Sequence, residues 1–148
     1  MVSSNWTYAV SPDDIAELGA SLRQVKQQLK PGRVWYYGGE TYFDVLFDVQ
    51  DGDIQWFQFT LRGRSLTWDR KGNLIRTGNT NELDATQALE YPASKLIQDD
   101  SQADTDFIAL VQSILATRPQ EAIFQQVLNL LSQSHGGDRP AVDGQLDG

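Results

Sequence analysis

An α+β domain built on a five-stranded antiparallel β-meander is the fold class predicted here, and three observations predict it. Residues 33–78 are dense in Val, Ile, Phe, Tyr and Trp and are broken at short intervals by glycine-containing pairs. One amphipathic helical stripe precedes this stretch and two follow it. Every connection inside the stretch is too short for a parallel crossover, which leaves only hairpins. A strongly curled sheet or partial barrel is the alternative, because both faces of the strands carry apolar residues.

The first helix is expected over 12–30. Ser11 suits the N-cap, Pro12 the first helical position, and Asp13 and Asp14 the positive end of the helix dipole. Ile15, Leu18, Leu22, Val25 and Leu29 form its apolar stripe, and Lys30-Pro31-Gly32 stops it.

Gly38-Gly39, Asp51-Gly52, Gly63-Arg64 and Lys71-Gly72 then sit where two-residue hairpin turns fit, since glycine takes positive φ without steric cost. Lysine does not, so a four-residue loop is the expected substitute around Lys71-Gly72. The turns delimit strands 33–37, 40–50, 53–62, 65–70 and 73–78. Counting back from each turn sets Trp35 opposite Tyr42, Leu46 opposite Phe57, Leu61 opposite Leu66, Phe59 opposite Trp68, and Trp68 opposite Ile75. Those residues make one packed face. Phe43, Val45, Phe47, Val49, Ile54 and Trp56 then fall on the other, beside Gln58, Thr60, Arg62, Thr67, Asp69 and Arg76.

After Gly78 the pattern loosens, with a short helix expected around Ala85–Leu89 or Ser94–Ile97. Asp104 caps a helix whose stripe is Phe107, Leu110, Val111, Ile114 and Leu115 and which ends near Thr117. Pro119 opens the last helix, with Ile123, Phe124, Val127, Leu128 and Leu131 turned inward. Residues 1–133 read as a single domain and 134–148 as a flexible acidic, glycine-rich tail.

The chain of 148 residues has no cysteine, which excludes disulfides, thiolate metal sites and thiol nucleophiles. Its formal charge of −8 disfavours nucleic acid, whose phosphates are bound by lysine and arginine. Met1–Tyr8 has neither a basic nor an apolar signal region, and no apolar run nears the length of a membrane helix, so a cytoplasmic protein is expected, with no membrane partner.

Little in the chain points to catalysis. The single histidine, His135, falls in the tail, where nothing fixes its geometry. Gly38-Gly39 joins two strands rather than entering a helix, so it is no phosphate loop. Asp99, Asp100, Asp104 and Asp106 lack the spacing of a calcium loop and read as a solvated loop before a helix start. Asp44 and Asp48 stand about 13 Å apart along one strand, too far for a catalytic carboxylate pair, and Arg33 is expected opposite Asp44. No catalytic residue, metal site or cofactor is therefore assigned.

The leading expectation is a non-enzymatic protein-interaction module: an adaptor, regulator or assembly factor binding through its sheet face or edges. Phe43, Phe47, Ile54 and Trp56 form its expected interaction surface, which suits a protein partner or a homodimer. The alternative is a small-ligand domain with a sheet–helix cleft lined by Trp35, Tyr42, Phe59 and Trp68, with Arg62 or Arg64 at its mouth. Single-stranded nucleic-acid binding through Arg62, Arg64, Lys71 and Arg76 is a weaker third.

Overall fold

The computed structural model describes residues 10–26, 30–80 and 97–134. The expected short helix at 85–89, most of that at 94–97, His135 and all but the first residue of the tail lie outside them. The protein is α+β: strands lie in one open antiparallel sheet, and three helices pack against it among the described residues. Helix α1 is Pro12–Ser21; strands β1 to β7 are Arg23–Gln24, Arg33–Tyr37, Asp44–Gln50, Asp53–Leu61, Arg64–Asp69, Leu74–Thr80 and Ile97–Asp99; helices α2 and α3 are Thr105–Ala116 and Ala122–Ser134. The sheet order follows the chain from β1 to β7, and the terminal strands do not pair, so no barrel closes. The expected five-stranded meander is β2–β6; the two-residue β1 and the three-residue β7 extend its edges.

Helix α1 starts as expected, with the Ser11 hydroxyl accepting the Asp14 N–H at 3.1 Å. It stops at Ser21, well short of residue 30; Val25 is not part of it, and Leu29 lies outside the described residues. Arg118 explains the early stop: its guanidinium donates to the carbonyls of Gly19 (2.8 Å) and Leu22 (2.9 Å), closing the helix end from far along the chain. Gly19 lets that end approach α2, since a Cβ there would run into Thr117 Oγ1 and the Ile114 carbonyl.

The hairpins follow the glycines with two adjustments. Asp51-Gly52 makes the expected two-residue loop, with φ of 54° and 84°. The next loop is Arg62-Gly63, φ 51° and 82°, one residue earlier than expected, so Leu61 faces Arg64. Around Lys71-Gly72 the four-residue loop is present, and Trp68 faces Ile75 as counted. At Gly38-Gly39 the connection runs to Phe43, so Trp35 faces Leu46 rather than Tyr42, and Arg33 faces Asp48 rather than Asp44. Gly38 supports the Phe43 ring, which occupies the place of a Cβ.

The largest departure lies between β3 and β4. Val49 faces Ile54 beside the turn, but Asp48 faces Trp56, so Gln55 is an extra residue: a β-bulge. Beyond it every pairing is offset by one, with Phe47 opposite Phe57 and Val45 opposite Phe59. Leu46 therefore faces Gln58, not Phe57, and the row Phe43, Val45, Phe47 turns to the helix side. Phe43, Phe47 and Ile54 are buried core residues at 1%, 0% and 0% exposure, which corrects the outer face expected for them. Phe59 meets Phe107 of α2 edge-on, and Phe47 and Tyr36 meet Phe124 of α3.

The bulge is held from two sides. Gln126 Oε1 accepts the Ile54 N–H at 2.8 Å, and Arg70 Nε donates to the Ile54 carbonyl at 3.0 Å. Gln126→Ala strands a buried N–H and is expected to cost about 1–3 kcal/mol, whereas Gln126→Glu keeps the acceptor and stays closer to wild type. Urea unfolding of the two variants checks this. Equal stabilities would show that the side-chain oxygen does not hold the bulge.

Candidate functional site

The expected ligand cleft does not assemble. Phe59 and Trp68 are packed in the core at 0% and 1% exposure. Trp35 lies on the opposite face of the sheet, and Tyr42 sits in the β2–β3 loop with φ 62°. Arg62 lies in the β4–β5 turn and Arg64 directly follows it, but Arg62 is engaged by Glu40 and Arg64 by Asp100 and Asp104.

That engagement recurs around the molecule. Arg62 binds Glu40 through both guanidinium arms, Arg33 binds Asp48, Arg76 approaches Asp99 at 3.7 Å, and Arg118 donates to Glu121 at 3.0 Å. Arg70 lies over the Trp68 ring at 5.3 Å. Of the bases expected to form a nucleic-acid surface, Arg62, Arg64 and Arg76 are thus paired with acids instead of segregating from them. The acidic cluster is divided in the same way: Asp100 and Asp104 converge on Arg64, and Asp99 turns to Arg76. No group of three or more His, Cys, Asp or Glu suited to a metal ion occurs among the described residues. Asp44 and Asp48 hold neighbours rather than acting together, Asp44 accepting from Trp35 Nε1 at 3.3 Å and Asp48 from Arg33.

Two places combine shape with unmet bonding capacity. The first is the sheet face away from the helices. Register places Trp35, Leu46, Gln58, Thr67 and Arg76 in one row across it, with Asp44, Thr60, Ser65 and Gly78 in the next. Gln58, Thr60 and Ser65 are buried at 4%, 0% and 0% exposure. Among the described residues Gln58 Nε2, Thr60 Oγ1, Ser65 Oγ and Thr80 Oγ1 find no hydrogen-bond partner, and all of them lie on this face. Trp56 borders it beside Arg33, whose guanidinium stands 5.4 Å from the indole centre. Of the expected interaction surface, Trp56 alone is on this face.

The second place is the free edge of β6. This strand spans Leu74–Thr80, yet β7 pairs with it only from Gly78 to Thr80. Asp100 N–H still reaches the Thr77 carbonyl at 2.8 Å before the chain turns away at Ser101. Thr77 therefore directs its main chain toward the β7 side, and by the two-residue alternation of a strand so does Ile75. Among the described residues no strand lies beside Ile75. A groove of about 610 Å³ does, walled by Leu74–Thr77 on one side and Asp99–Ala103 with Thr105 on the other. A smaller, more open cleft of about 340 Å³ lies between α1 and the Glu40–Arg62 pair.

Arg64 fixes the far wall of the larger groove. Its guanidinium donates to Asp100 Oδ2 at 2.6 Å and Asp104 Oδ2 at 2.8 Å, while Thr77 Oγ1 donates to Asp100 and accepts the Asp104 N–H. Asp104 also caps α2, accepting the Phe107 N–H as expected. The sequence shows the cap through Asp104 and its apolar stripe; it offers no signal for β7, whose three residues form a strand only by pairing with β6.

The Arg64 hydrogen bonds, seconded by that from Thr77, hold the Asp100 carboxyl below its ordinary value against the opposing effect of burial. A carboxyl lowered in the folded state contributes fully above its unfolded pKa of about 3.9 and loses that contribution as the pH falls through and below it. The protein is accordingly expected to lose stability between about pH 5 and pH 2, and Asp100→Asn to be less stable at pH 7 with a flatter acid limb. Thermal melts across that range check both, and identical acid limbs would remove Asp100 from the linkage. No protein-family model, no curated protein and no solved structure matches this chain.

Proposed function

We propose that the protein is a non-enzymatic interaction module that binds a protein partner at the free edge of β6. One observation carries this: β7 stops short of the Leu74–Ile75 end of β6, and among the described residues a groove with a fixed far wall borders that end. Exposed strand edges present ready main-chain donors and acceptors, and are normally covered unless they are used. Leu74, at 39% exposure one of two large apolar side chains left exposed among the described residues, borders the same groove. The other, Tyr37, stands on β2, with three strands between, so the two do not form one apolar patch. With Phe43, Phe47 and Ile54 in the core, a partner or second copy meets an edge rather than the sheet face first expected.

The unpartnered polar atoms of Gln58, Thr60, Ser65 and Thr80 favour a second reading, a small polar ligand held on the sheet face away from the helices. Native mass spectrometry of protein purified from its own cells separates the two, since that ligand would add a defined mass to the chain.

The test of the edge is affinity capture from an extract of the native cell with three baits: wild type, Gln102→Trp and Lys71→Ala. Gln102 is exposed in the groove wall, so an indole there fills the groove without entering the core; Lys71 lies in the β5–β6 loop, away from it. Wild type and Lys71→Ala are expected to retain the same partner and a folded Gln102→Trp to lose it. Retention by all three baits would put the binding surface elsewhere.

A further inference from the structure

No further inference is drawn: the strongest candidate, the cluster of buried polar side chains Gln58, Thr60 and Ser65 on the sheet face away from the helices, belongs to the site already described, and nothing among the described residues shows what covers it.

Discussion

One extra residue in β4 decides which side of this sheet is the inside. The Asp51-Gly52 turn alone, counted outward, sends the row Phe43, Val45, Phe47 to one face and the row Phe57, Phe59, Leu61 to the other. The bulge at Gln55 brings both rows together, and every one of those side chains is buried at 1% exposure or less. Burying a large apolar side chain is worth about 1.5–3 kcal/mol, so three of them turned outward would forgo roughly 5–9 kcal/mol. A whole domain is stable by only about 5–15 kcal/mol. Against that, a locally broken ladder is a small cost, and Gln126 and Arg70 recover most of it by bonding the main chain of Ile54.

The helices are fastened to this sheet by arginines whose partners are distant in sequence. Arg118 closes the end of α1 through the Gly19 and Leu22 carbonyls, and meets Glu121, which in turn accepts from Tyr36 Oη on β2 at 3.0 Å. Burial, the Tyr36–Glu121 hydrogen bond and the Glu121 charge push the Tyr36 hydroxyl up to about 12, so it stays a neutral donor throughout the physiological range. Arg64 performs the same service at the other end, drawing the β7–α2 connection onto the β4–β5 turn. These contacts are partly buried and charge-assisted, which makes them stronger than surface pairs such as Arg62–Glu40.

Local chemistry made much of this legible in advance. The hairpin glycines, the Ser11 and Asp104 caps and the three apolar stripes each act within a few residues, so the order of elements and the antiparallel meander could be read directly. The faces could not be read by counting from turns, because a bulge has no required residue type: Gln55 looks like any polar strand position. A signal was nonetheless present. The two richest apolar rows of β3 and β4 fell on opposite sides of the sheet, and a core seldom forgoes both. Weighing burial above turn geometry would have called for an extra residue, and would have moved Phe43, Phe47 and Ile54 inward. The early end of α1 and the strand character of Ile97–Asp99 depend on Arg118 and β6, and neither is local.

The same long-range pairings explain why residue types pointed poorly to a site. Arg62, Arg64, Arg76, Asp100 and Asp104 suggest anion or cation binding when taken singly, but the fold sets most of them against one another, and their mutual fields cancel. What remains unmatched among the described residues is main chain at Ile75 and small polar groups on one sheet face, neither of which leaves a motif in a sequence. Main-chain recognition depends on where a strand stops, and β7 stops because Asp100 and Asp104 are drawn to Arg64. The clamp that anchors α2 is therefore also what leaves Ile75 without a paired strand on that side among the described residues. The residues that build the groove wall and those that hold the fold are the same, so that loosening Arg64 would relax the wall and the α2 cap together.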